Sequence, residues 1–162
     1  MANRTGVRGR IFTVMLVLGG SGVFPIAAAA QTDAVARYVG SAACRGCHEQ
    51  EYANFLNFAK KAHSFESVRR MRSRLTPAEI DECLECHTTG FRRPGGFKSE
   101  AETPDLKNAG CEVCHGPGSR HVASGNRGDI KGDLTLEDCA VCHNEDRIEA
   151  FNFKPMVYGG GH

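Results

Sequence analysis

Cys111-Glu112-Val113-Cys114-His115 is one of four segments that share a single pattern: two cysteines three positions apart, with a histidine directly after the second. The other three segments are Cys44-Arg45-Gly46-Cys47-His48, Cys83-Leu84-Glu85-Cys86-His87 and Cys139-Ala140-Val141-Cys142-His143. Together they use all eight cysteines of the 162-residue chain. This pattern is the attachment signature of c-type haem. The two thiols form thioethers with the haem vinyl groups, and the adjacent histidine binds the iron from the proximal side.

We therefore predict four covalently bound haem c groups, each held by the two cysteines of one motif. The predicted proximal iron ligands are His48, His87, His115 and His143. The eight cysteines have two alternative uses, four disulfide bonds in an exported protein or two zinc sites with four thiolates each. Neither use explains a histidine after every pair of cysteines, so haem attachment is favoured.

The first 30 residues are typical of an export signal. Three arginines precede an apolar run over 11–18, and four alanines ending at Ala30 suit cleavage by signal peptidase. The alternative, a retained membrane anchor, is disfavoured because a membrane span takes about 20 apolar residues. We expect a signal peptide over 1–30, a haem-binding domain over 31–162, and no membrane span after cleavage. The predicted location is periplasmic or secreted.

The charge of the chain disfavours a nucleic-acid partner. The formal net charge is +1, and it falls to −2 without residues 1–30, which contain three arginines and no acidic residue. Binding to nucleic acid needs a basic surface that this balance does not provide. Four arginines in 69–74 could dock an acidic partner or neutralise haem propionates, although such a run is more typical of a solvated helix face.

The predicted fold is mainly α-helical with extensive irregular loops. Helices are expected over 41–61, 76–87 and 135–143, the last two beginning at capping boxes, and a long loop is expected over 88–109. The chain is too short to build a separate apolar core around each of four haems. We therefore expect a small multihaem cytochrome whose chain wraps around the haems.

Three histidines lie outside the motifs, and they are candidates for distal iron ligands. They are His63, His121 and His162. A Gly-Pro-Gly turn lies between His115 and His121, so His121 is expected to reach a different haem and to link separate segments. Seven histidines cannot fill the eight axial positions of four irons. At least one haem therefore lacks a histidine on its distal side.

Several segments outside the cysteine pairs form a recognisable set. They are Tyr38-Val39-Gly40-Ser41, Lys61-Ala62-His63, Thr88-Thr89-Gly90, Gly116-Pro117-Gly118-Ser119-Arg120-His121, and Phe151-Asn152-Phe153 before a C-terminal histidine. With these segments the chain resembles the tetrahaem c-type cytochrome family that includes the electron acceptor of hydroxylamine oxidoreductase. One departure is that Phe55, or a neighbour, replaces the family's usual tryptophan in the first helix.

The resemblance implies which histidines share an iron. The implied pairs are His48 with His121, His115 with His162, and His143 with His63. His87 would then have no histidine partner, so the second haem would be five-coordinate or weakly capped.

The predicted function is electron transfer between redox-partner proteins through closely packed, mostly bis-histidine haems. Irons with a histidine on both faces have no position for a substrate, so we expect an electron carrier rather than an enzyme. One alternative is a haem enzyme acting on a small nitrogen or oxygen species at a five-coordinate haem. Another is a subunit of an extracellular cytochrome filament, and the sequence leaves open whether the protein is a monomer or a polymer.

Overall fold

The computed structural model describes residues 35–144, which contain all four motifs. This part of the chain forms six α-helices joined by irregular loops and short 3-10 turns, and it contains no β-strand. The helices are α1 (Glu49–Phe58), α2 (Phe65–Met71), α3 (Pro77–His87), α4 (Cys111–His115), α5 (Ser119–Ser124) and α6 (Leu136–Ala140). The prediction of a mainly helical fold with extensive loops is confirmed.

Some sequence predictions lie outside the described residues. They concern the signal peptide over 1–30, the segment 151–153 and the distal ligand His162. Within residues 35–144, no helix is long and apolar enough to cross a membrane.

The predicted continuous helix over 41–61 is wrong, because the chain divides there into three pieces. A 3-10 turn spans Ser41–Cys44, α1 begins only at Glu49, and a second 3-10 turn spans Lys60–His63. The amides of Cys47 and His48 both donate to the carbonyl of Cys44, at 3.3 and 3.0 Å. The first haem motif therefore forms its own turn.

The two predicted capping boxes are present, and they begin the helices that carry the second and fourth motifs. The amide of Thr76 donates to the Glu79 carboxylate at 2.8 Å, and α3 then runs to His87 as predicted. The amide of Thr135 donates to the Asp138 carboxylate at 2.9 Å. The fourth-motif helix, α6, ends at Ala140 rather than at the predicted residue 143, since the rest of that motif forms a turn.

The sequence does not predict α2, which packs against α3 and forms a small apolar core with it. The buried side chains of this core are Phe65, Val68, Leu84, Phe97 and Leu106. Phe97 and Leu106 come from the loop over 88–109, which is irregular as predicted apart from a 3-10 turn at Pro104–Leu106. The described part of the chain thus builds an apolar core beside the second motif, and Phe55, Ala59 and Ala62 form a second, smaller cluster.

The segment that follows the second motif crosses the N-terminal segment at close range. Gly90 adopts a φ of 70°, and a Cβ added there would lie 2.6 Å from the ring of Tyr38. Only glycine combines this left-handed conformation with so close a contact. Thr88 and Thr89, between Gly90 and the second motif, are almost completely buried. The N-terminal segment is thereby fixed against the loop that follows the second motif.

Candidate haem sites

The imidazole rings of His48 and His121 lie close together although the two residues lie far apart in the sequence. Their ring centroids are 6.1 Å apart and their planes are inclined by 31°. A metal–imidazole nitrogen bond is about 2 Å long, and the ring centroid lies about 1 Å behind the bonding nitrogen. Two rings on opposite sides of one iron therefore have centroids roughly 6 Å apart. The observed separation matches that of two axial ligands of one haem.

Three histidines have a side-chain nitrogen committed to a backbone carbonyl. The Nδ1 atoms of His87, His115 and His121 donate to the carbonyls of Ser64, Lys131 and Asn126, at 2.8, 2.7 and 2.9 Å. A ring whose Nδ1 carries the proton presents a lone pair on Nε2. Hydrogen bonds of this kind orient metal-binding histidines and raise their basicity. These three rings are therefore prepared to bind iron through Nε2.

The first and third motifs open into one cavity of about 730 Å³. Its lining includes both cysteines and the histidine of each motif, together with His121 and Cys139. The apolar part of the wall comes from Tyr52, Phe55, Val122, Ile130 and Leu134. An apolar wall with a few polar groups suits a flat apolar cofactor such as a porphyrin.

The cysteine thiols of different motifs lie in contact. A hydrogen bond with Cys44 lowers the pKa of Cys111 to about 6, and burial only partly opposes it. Burial and a hydrogen bond with Cys86 raise the pKa of Cys142 to about 12. The first motif thus lies against the third and the second lies against the fourth.

All eight cysteines lie within the described residues 35–144. The cysteines form no disulfide bond. Nor do three or more histidine, cysteine or acidic side chains gather into a metal site within residues 35–144.

The fourth motif lies close to the turn that carries His63. Burial, and then the charge of Lys61, lower the pKa of His143. Lys61 also acts electrostatically on Cys139 and Cys142. Lys61 is two positions from His63 in the turn Lys60–His63, so the pairing of His63 with His143 is compatible with this placement and stays a prediction.

Glu112, inside the third motif, has a role that the sequence does not predict. Its side chain is 2% exposed. The carboxylate accepts the amide of Gly40 at 2.7 Å, that of Gly118 at 2.7 Å, and that of Val39 at 2.9 and 3.1 Å. A buried carboxylate that accepts several amide hydrogen bonds is well stabilised. Glu112 thereby fastens the segments on either side of it to the third motif.

Ser64 has a similar role at the second motif, and the sequence does not predict it either. Its hydroxyl donates to the carbonyl of His87 at 2.8 Å and accepts the amide of Ala109 at 2.8 Å, while its carbonyl accepts the His87 ring. Two of these hydrogen bonds fix the position of His87, and the third joins Ser64 to Ala109. No local pattern marks this serine, because its partners are 23 and 45 positions away.

The residues present fit haem c. Paired thiols border an apolar cavity, two imidazoles stand at the separation of axial ligands, and three imidazoles present Nε2. In such a protein the paired cysteines would attach the porphyrin and the histidines would bind the iron.

Comparisons with known proteins agree with this site. Residues 43–116 match the family described as cytochrome c554 and c-prime. The chain is 27% identical over 161 residues to cytochrome c-554 of Nitrosomonas europaea, with 80% of this chain and 68% of that protein covered. The fold is similar to the solved structure of reduced cytochrome c554 from the same organism, with a TM-score of 0.55 and 22% identity. That match covers 78% of this chain and 84% of the other.

Fold, site and comparisons together support a c-type cytochrome electron carrier. The resemblance predicted from the sequence, to the tetrahaem cytochromes related to cytochrome c554, is confirmed. The predicted cofactor, four covalently bound haem c groups, is confirmed with it. The assignment of individual ligands stays a prediction.

Proposed function

We propose that this chain passes electrons between redox-partner proteins, outside the cytoplasm, through closely packed and mostly bis-histidine haems. When bound, haem c supplies a one-electron couple between ferric and ferrous iron. The observation that carries the proposal is the 6.1 Å separation of the His48 and His121 rings. Histidines on both faces would leave no axial position for a substrate, which favours electron transfer over chemistry at that site.

Close packing is supported by the contacts between motifs. The first and third motifs share one cavity, and Cys139 of the fourth motif lines that cavity too. Cofactors attached to such neighbouring cysteines would lie near one another, which favours rapid exchange of electrons between them. The export pattern over 1–30 supports a location outside the cytoplasm.

A second candidate function, catalysis at one open iron, is favoured by the histidine count. Seven histidines serve four irons, and His87 is the one to which the resemblance gives no partner. Two hydrogen bonds with Ser64 hold His87 in place. A small nitrogen or oxygen species could then bind on the opposite face.

Stopped-flow reduction of the four-haem protein distinguishes the two functions. With less than one reducing equivalent per protein, we expect the electron to distribute among all haems within the mixing time, and no turnover of nitric oxide, hydroxylamine or peroxide. Haems that reduce independently and exchange no electrons would contradict electron transfer. Sustained turnover at the second haem would support the catalytic alternative.

Replacing His121 tests the axial assignment itself. His121→Gly is expected to convert one low-spin haem to high spin. Arg120→Gly is the matched control, since it places the same helix-weakening residue one position earlier in α5, on an exposed side chain. Low-spin character that survives His121→Gly would contradict the assignment.

A further inference from the structure

Lys61 lies where several motifs meet. It belongs to the 3-10 turn Lys60–His63 and is half-buried, whereas Lys60 is exposed. It lines the cavity shared by the first and third motifs. Cys139 of the fourth motif lines the same cavity. A positive charge is therefore held among the haem-attachment residues of three motifs.

Other charged side chains at this cavity have partners elsewhere or reach solvent. Glu112 is bound by three backbone amides, and Lys131 forms an ion pair with Asp138. Arg127 and Glu51 are exposed. The wall therefore contains no buried carboxylate still available to a cation.

Lys61 itself has no acidic partner within the described part of the chain. None of the ion pairs there, which involve Arg69, Arg92, Lys98, Lys107, Arg120 and Lys131, includes it. Partly burying an ammonium group without a counter-charge is unfavourable. Its position is explained if the cofactor supplies the missing negative charge, because each haem carries propionate carboxylates.

We propose that the ammonium group of Lys61 pairs with a haem propionate at this junction and raises the reduction potential of the haem on the fourth motif. Lys61 acts here as a positioning and tuning residue that touches the cofactor's carboxylate and not its iron. A fixed positive charge favours the reduced haem, because reduction adds an electron. This inference rests on the proposed attachment of that haem to Cys139 and Cys142.

The size of the effect follows from the distance dependence of charge interactions. A unit charge roughly 12 Å from a redox centre, at an effective dielectric constant of about 20, changes its reduction equilibrium about tenfold. A tenfold change in a one-electron equilibrium corresponds to about 59 mV. Loss of the Lys61 charge should therefore lower one potential by about that amount.

Potentiometric titration of the four-haem protein tests the proposal, with Lys60→Met as the matched control. Lys61→Met is expected to lower one haem potential by about 59 mV. Lys60→Met removes the same charge one residue earlier on the exposed surface, so it should shift every potential by much less. Lys61→Arg retains the charge and should leave the potential nearly unchanged.

Two results of the titration would contradict the role of Lys61. Equal shifts in Lys61→Met and Lys60→Met, or a higher potential in Lys61→Met, would overturn the proposal. If Lys61→Met does not assemble with four haems, Lys61→Gln provides the same loss of charge with a polar side chain of similar length. The number of covalent haems is measured first by mass, so a missing fourth haem would count against the proposed attachment and not against the role of Lys61.

Discussion

Replacing Glu112 by glutamine changes one oxygen into an amide nitrogen and removes one negative charge. The carboxylate has no free oxygen, since one accepts the amide of Gly118 and the other the amide of Gly40, with the amide of Val39 shared between them. In either orientation the new NH2 group faces a backbone N–H that had an acceptor. Glu112→Gln therefore loses at least one strong hydrogen bond and weakens the others.

The expected destabilisation follows from these contacts. A hydrogen bond to a charged group contributes about 1.5–3 kcal/mol, and a buried donor left without a partner costs a comparable amount. We expect a loss of about 2–4 kcal/mol in the free energy of unfolding. For a domain of this size that corresponds to a decrease of roughly 10 °C in Tm.

Glu85→Gln is the matched control, because Glu85 also lies between the two cysteines of a haem motif. Its side chain is 52% exposed and forms an ion pair with Arg92 at 2.9 Å. Exposed pairs of this kind contribute about 0–1 kcal/mol. Thermal unfolding of both four-haem variants, followed by circular dichroism in the haem absorption band, measures the difference. Equal Tm values for the two variants would refute the role assigned to the buried carboxylate.

Two further substitutions test the contacts around the motifs. Ser64→Ala removes both hydrogen bonds of the hydroxyl and should destabilise the protein by about 1–3 kcal/mol; it should also change the spectrum of the second haem, whereas Ser67→Ala should do neither. Unchanged spectra in both variants would argue against Ser64 as a support of the second-motif histidine. Gly118→Ala places a Cβ 3.2 Å from the buried carboxylate and should cost about 1–3 kcal/mol, whereas Gly132→Ala meets no atom within 4 Å. Equal chemical denaturation midpoints for the two alanine variants would contradict that crowding.

The parts of the site that local sequence chemistry determines could be predicted. Each haem motif is complete within five residues, and the capping boxes at Thr76 and Thr135 need only the next three residues. The close approach of His48 and His121 joins residues 73 positions apart, so the sequence alone identifies the candidates and only a family resemblance suggests the pair.

Buried contacts over long distances explain most of what the sequence does not reveal. Glu112 and Glu85 both lie between paired cysteines, yet one is buried against backbone amides and the other pairs with an arginine on the surface. The sequence does not predict helix α2, because its buried side chains pack against α3 and the loop over 88–109, and these contacts are distant in the sequence. The first motif forms a separate turn in place of the predicted helix, since the amides of Cys47 and His48 both donate to the carbonyl of Cys44.

Electron paramagnetic resonance of the fully oxidised protein tests the account most directly, because it counts low-spin and high-spin haems separately. Three histidines are available for the distal faces of four irons, so we predict three low-spin haems with histidine on both faces and a fourth without a distal histidine. In His121→Gly the low-spin count should fall by one. Four low-spin haems that all have nitrogen–nitrogen axial coordination would contradict the account, and so would a spectrum dominated by high-spin haem.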